Sequence, residues 1–168
     1  TPKPSSAASD VYKRQGWGYV LLFNEHRKLC CGGGPDYTSN AMELMAIRKG
    51  LEAIKSTPKP IRVFSDSKYA IASIFHYAEG WKRNGWRTST GTWVMNRHII
   101  EPAMEQVRRL RASGTLSAKW VKGHSGVTYN EVADRLAGLG KKRFSERHGA
   151  MEHEELAAAM DWANGWLP

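Results

Sequence analysis

At 168 residues the chain has the length of one well-packed domain with a short appendage. Hydrophobic residues make up 41% and are interrupted throughout, so no run approaches the roughly 20 apolar residues of a membrane-spanning helix. Twenty-five Lys and Arg against 16 Asp and Glu leave a net charge of +9. That balance favours a polyanionic partner, nucleic acid first, because neutralised phosphates release counterions, although a basic surface also serves solubility alone.

In chain order, residues 1–15 carry Pro, Ser and Ala with only Val11 and Tyr12 as large apolar groups, and read as a disordered leader. From Gly16 an aromatic and β-branched run to Phe23, the polar turn Asn24-Glu25-His26 and the segment Lys28 to Cys31 predict a hairpin. Cys30 and Cys31 are strand neighbours on opposite faces and cannot easily bridge; with no apolar signal segment ahead of them they point to a reducing cytoplasm. Gly32-Gly33-Gly34-Pro35 reads as a loop. A helix is expected from near Asn40, on the recurrence of Leu44, Ile47, Leu51 and Ile54, with Pro58 and Pro60 ending it.

Ile61 to Ser65 reads as a short strand, and Asp66-Ser67 as the start of a helix carrying Ala70, Ile71 and Ile74. Gly80 to Thr92 mixes Trp, Arg, Lys, Asn and Gly without periodicity and is expected to form a basic, aromatic projection. A helix over Ile99–Arg111, a strand over Ala118–Val121, the loop Lys122-Gly123-His124-Ser125-Gly126 and a helix marked by Val132, Leu136 and Leu139 follow, with a last helix expected over Glu152–Trp166. A hairpin followed by strands alternating with helices describes an α/β fold, a mixed sheet covered by helices, with no internal repeat.

Three acids have bland local explanations. Glu43, three residues after Asn40, has capping-box spacing; Asp66 stands where an N-cap is favoured; Asp134 lies beside a potential Glu131–Arg135 helix pair. His124 in its Gly-flanked loop serves equally as a turn residue or as a proton shuttle near neutral pH. Position changes the weighing. Asp66 ends a strand, Glu43 opens a helix and the His124 loop leads into the helix of Asp134, so all can converge on one end of the sheet, where ligands of open α/β sheets bind. Clustered carboxylates suit Mg²⁺ or Mn²⁺, and two such ions can drive phosphodiester hydrolysis.

Five strings, in order, carry a resemblance: Ser39-Asn40-Ala41-Met42-Glu43-Leu44-Met45-Ala46, Phe64-Ser65-Asp66-Ser67, Trp81-Lys82-Arg83-Asn84-Gly85-Trp86, Trp120-Val121-Lys122-Gly123-His124-Ser125-Gly126 and Asn130-Glu131-Val132-Ala133-Asp134. Over Gly16 to about Gly138 the chain resembles the type 1 ribonucleases H. The resemblance implies a five-stranded mixed sheet with flanking helices and a two-metal site on four carboxylates, of which Glu43, Asp66 and Asp134 match three. It implies hydrolysis of the RNA strand of an RNA–DNA hybrid, with His124 as the mobile histidine that assists proton transfer or product release. Trp81, Lys82, Arg83, Trp86 and Arg87 match the basic protrusion that grips the DNA strand. For Trp81, core and surface readings stand level; for Trp86 the surface is expected. Ser39 and Asn40 match the loop that reads RNA 2′-hydroxyls. Ser39 (often Asn in relatives) and Lys68 (often Gln) are departures that touch affinity rather than activity.

The larger departure lies upstream. The family's first strand, with its Asp-Gly carboxylate, has no counterpart before Gly16, and its role is not carried over to Asp10, which lacks the spacing and the following Gly. The expected organisation is therefore a leader over 1–15, a ribonuclease H domain over 16–140 with its first strand missing or substituted, and an extension over 141–168. A monomer acting on hybrid in the cytoplasm is expected, with a catalytically impaired hybrid-binding domain as the alternative. A same-fold nuclease acting on DNA is the more distant reading.

Overall fold

The computed structural model describes residues 15–24, 26–34, 37–123, 126 and 128–147, apart from the side chains of 128 and 143–147. The elements are β1 (Gln15–Phe23), β2 (His26–Gly34), α1 (Ser39–Glu52), β3 (Ile61–Ser65), α2 (a continuous helix of Lys68–Ile71, a π-helical Ala72–Tyr77 and Ala78–Arg83), α3 (Arg97–Arg111), β4 (Leu116–Trp120) and α4 (Thr128–Arg147). The chain divides into two compact units, residues 1–42 with 123–168, and residues 43–122.

In the first unit β1 and β2 pair antiparallel, from Gln15 opposite Gly34 to Phe23 opposite His26. Asn24 takes the turn at φ 53°, a left-handed conformation that Asn tolerates better than most residues. Alternation sends Val20, Leu29 and Cys31 to one face, where they pack with Val132, Leu136 and Leu139 of α4. Cys30 lies half-buried beside the fully buried Cys31, as expected of neighbours on opposite faces, and Trp17 stacks on Tyr19 with centroids 6.1 Å apart. Gly18 has a packing reason: a Cβ there would lie 2.5 Å from Leu136 Cβ and 2.7 Å from the Ala133 carbonyl oxygen, so the backbones of β1 and α4 meet directly.

The Gly32-Gly33-Gly34 stretch, expected as a loop, is the last part of β2. Its glycines make room for aromatic rings: a side chain at Gly32 would strike the Trp17 indole, and one at Gly34 the Tyr37 ring. Turn-forming composition is overridden here by cross-strand packing.

In the second unit β3 and β4 run parallel, from Ile61 beside Leu116 to Ser65 beside Trp120. This register begins β4 at Leu116 rather than at the expected Ala118, while the Val121 amide still donates to the Ser65 carbonyl at 2.9 Å. Leu44, Leu51, Ile74, Ile99, Met104 and Leu110 are among its buried residues. α1 stops at Glu52, short of Ile54 and of both prolines. Arg109 explains the stop, since its Nη2 donates to the carbonyls of Leu51 (3.1 Å) and Ile54 (2.7 Å) and so satisfies the frayed end. Within α3, Pro102 offers no amide to the His98 carbonyl, and Arg48 Nη1 reaches that oxygen at 3.5 Å.

The class is mixed α/β, as expected. Of the expected five-stranded sheet, the described residues form two two-stranded parts, β1-β2 and β3-β4, and supply no fifth strand among themselves. α4 runs unbroken to Arg147, past the boundary expected at 140, while the expected leader (all but Gln15) and the helix over Glu152–Trp166 lie outside the described residues. No described helix is long and apolar enough to cross a membrane.

Candidate active site

At two of the three acids the helix-cap role is taken by a neighbouring residue. The cap of α1 is Thr38, whose Oγ1 accepts from the Ala41 amide at 3.2 Å. Asn40 is already the second helical residue, so no capping box joins it to Glu43. The cap of α2 is Ser67, whose hydroxyl accepts from the Ala70 amide at 3.1 Å; Asp66 precedes it. Glu43 and Asp66 are both half-buried.

The backbone at Asp66 and Ser67 is held by two side chains. The Trp120 indole Nε1 donates to the Asp66 carbonyl at 2.9 Å, and the Ser67 amide donates to Ser65 Oγ at 3.1 Å. Lys68 is exposed with Nζ 4.4 Å above the Trp120 ring, so one indole supports the backbone of Asp66 and the cation two residues on. Asp134, on α4, is half-buried with Oδ2 removed from solvent. His124 lies outside the described residues.

Glu43 and Asp66 belong to the unit of residues 43–122, and Asp134 to the other. Among the described residues no three His, Cys, Asp or Glu side chains group closely enough to hold a metal ion. The donor set itself, three carboxylates, is chemically suited to a hard divalent cation. Ser39 and Asn40 are exposed as the first two residues of α1.

The basic segment is more ordered than its composition implied. Trp81 is half-buried against Tyr77, ring centroids 5.6 Å apart. Trp86, expected at the surface, is buried at 3% exposure. The correction follows from a chain reversal: Trp86 sits at φ 61° after Gly85 at φ 64°, its amide donates to the Trp81 carbonyl at 2.7 Å, and the indole turns inward, with the Arg97 guanidinium 5.1 Å from the ring. Lys82 is paired with Glu105 at 3.0 Å; Arg83 and Arg87 are exposed. The clearest pKa effect is structural: the Arg108 guanidinium, donating to both Glu79 oxygens at 2.7 and 2.6 Å, holds that carboxyl below its ordinary range.

Sequence reading missed Trp120 as the support of Asp66, because only the β3–β4 register sets the two side by side. It also missed Trp93, 64% exposed, which lay just beyond the segment expected to project.

A family model described as RNase H matches residues 5–142, a span that opens within residues 1–15. The ribonuclease H of Legionella pneumophila (strain Lens) is 39% identical over 130 residues, covering 77% of this chain and 87% of that one. The ribonuclease H of Rhizobium etli is 43% identical over 131 residues, covering 78% and 83%. In structure the chain is similar to LC9-RNase H1, described as a type 1 RNase H with the type 2 active-site motif, with a TM-score of 0.61 at 20% identity over 93% of this chain and 84% of that one, a likeness of fold. On the matched span and these identities, the chain belongs to the RNase H family.

Proposed function

We propose that the chain is an endoribonuclease that hydrolyses the RNA strand of RNA–DNA hybrids. The observation that carries this is the family match over residues 5–142 enclosing Glu43, Asp66 and Asp134, with helix capping at the first two positions done by Thr38 and Ser67 instead. Glu43, Asp66 and Asp134 would hold one or two divalent cations, Mg²⁺ or Mn²⁺, which supply an acidified water and charge stabilisation at the scissile phosphate. Ser39 and Asn40, exposed at the start of α1, are placed in sequence to hydrogen-bond 2′-hydroxyls of the RNA strand.

His124 takes or returns the proton that hydrolysis moves. Lys68, Lys82, Arg83 and Arg87 neutralise phosphates; Trp81 and Trp86 act beneath them by packing. For Lys82 the phosphate displaces a surface ion pair with Glu105, a small cost at this exposure. The leader over 1–15, the nuclease domain over 16–140, the extension over 141–168, monomeric state and cytoplasmic location belong to the same reading. Its test is cleavage of a labelled RNA–DNA hybrid in Mg²⁺ and in Mn²⁺ by the full chain and by Asp66→Asn. Cleavage by the parent and at least a 100-fold loss in the folded variant are expected. Full activity in Asp66→Asn would end the reading; hybrid affinity without cleavage by the parent would favour a binding domain.

A further inference from the structure

The segment between α2 and α3 builds a small hairpin that the roles above leave unexplained. Trp86 and Val94 are joined by the Val94 amide donating to the Trp86 carbonyl at 2.9 Å, and Arg87 bridges to Trp93 across it. Its tip is locked: the Thr88 amide donates to the Thr92 carbonyl at 2.8 Å, the Thr88 and Thr92 hydroxyls lie 2.7 Å apart, and Arg87 Nη1 donates to the Gly91 carbonyl at 2.9 Å. On this frame the Arg87 guanidinium lies 3.8 Å from the centroid of the Trp93 ring. Trp93 remains 64% exposed and its neighbour Met95 73%.

Three features identify the chemistry. An indole fixed at low entropic cost, with one face backed by a guanidinium, offers its other face for stacking. Residues 80–100 hold Lys82, Arg83, Arg87 and Arg97 and no Asp or Glu, so the surroundings match a phosphate backbone. Arg97 and Lys82 are engaged by Glu101 and Glu105, whereas Arg87 and Arg83 make no ion pair with a described acid. Inside a duplex each base face is covered by its neighbours, so a side-chain platform of this kind fits an unpaired base, with aromatic stacking giving affinity and basic side chains tracking the backbone.

We propose that Trp93, backed by Arg87, is a stacking platform for unpaired nucleotides bordering the hybrid, so that the chain binds hybrids carrying a single-stranded tail in preference to blunt ones. The proposal rests on hybrid being the substrate, yet it is separable from that reading. Trp93 sets substrate preference and takes no part in the chemical step.

The test is fluorescence anisotropy in EDTA with a blunt RNA–DNA hybrid, the same hybrid with an unpaired dT tail, the same hybrid with an unpaired rU tail, and a dT oligonucleotide alone. The proteins are the full chain, Trp93→Ala and Trp93→Phe, each checked by circular dichroism. Trp93→Ala is expected to weaken at least one tailed hybrid and the dT oligonucleotide by about 5–100-fold while the blunt hybrid changes less than about 2-fold, with Trp93→Phe restoring most of the loss. Which tailed hybrid responds assigns the platform to the DNA or the RNA strand. Equal losses on blunt and tailed hybrids overturn the proposal, as does no loss on any ligand. Self-association of the parent that Trp93→Ala abolishes, with nucleic-acid affinity unchanged, also overturns it. Trp93-dependent binding of dT without binding of either hybrid supports the platform and sinks the hybrid reading, so the two failures are distinguishable.

Discussion

The Trp120 indole donates a 2.9 Å hydrogen bond to the carbonyl oxygen of Asp66, fixing the residue that leaves β3 from the neighbouring strand β4. Trp120 is 41% exposed, so the bond contributes modestly to stability, about 0.5–1.5 kcal/mol. Its effect is on placement. Trp120→Phe keeps the ring under Lys68 and removes the donor. Thermal stability is expected to stay within a few degrees; on the proposed role of Asp66 as a metal ligand, the Mg²⁺ concentration for half-maximal hybrid cleavage is expected to rise roughly 10-fold, as for loss of a group that orients such a ligand. An unchanged Mg²⁺ dependence would show that Trp120 does not position Asp66.

The contact of β1 with α4 through Gly18 leaves no volume for a side chain. Gly18→Val would press a branched side chain on Leu136 Cβ and the Ala133 carbonyl, and backbone cannot yield cheaply. A destabilisation of about 2–3 kcal/mol or more is expected, read as a shifted urea midpoint. A midpoint equal to the parent's would mean that α4 lies farther from β1 than described.

The bidentate pair of Glu79 and Arg108 ties the last part of α2 to α3. Since Arg108 holds the Glu79 carboxyl below its ordinary value, the contribution is present above the unfolded-state pKa and is lost as pH falls through the folded one. Arg108 stays protonated throughout. Both side chains are nearly half exposed, so solvent screens the pair strongly. Glu79→Gln is expected to lower Tm at pH 7 by no more than about 2–4 °C. The difference should vanish in acid and shrink in molar salt. A difference that persists below the carboxylate range would mean that packing, not charge, holds α2 to α3.

Much of the fold was legible locally. The β1–β2 hairpin, β3, the helix of Leu44, Ile47 and Leu51 and the helix of Val132, Leu136 and Leu139 follow from apolar spacing and turn chemistry, which act over a few residues. The candidate acids were legible as residue types in five ordered strings, and the family match agrees with that resemblance. What those strings left open was which side chain caps each helix, because Thr38 and Asn40, or Asp66 and Ser67, are competing caps by composition; helix register decided for Thr38 and Ser67.

The sequence by itself determined the α/β class, the family, the hairpin and the identity of the acidic and basic residues, since each is written in neighbours or in short motifs. Only tertiary structure decided that the Gly32–Gly34 stretch is strand, that Trp86 turns inward while Trp93 faces solvent, that Arg109 ends α1 and that Trp120 supports Asp66. The reason is common to all four. Each depends on a partner the local pattern does not specify: Trp17 for Gly32, Trp81 for Trp86, the carbonyls of Leu51 and Ile54 for Arg109, and the β3–β4 register for Trp120.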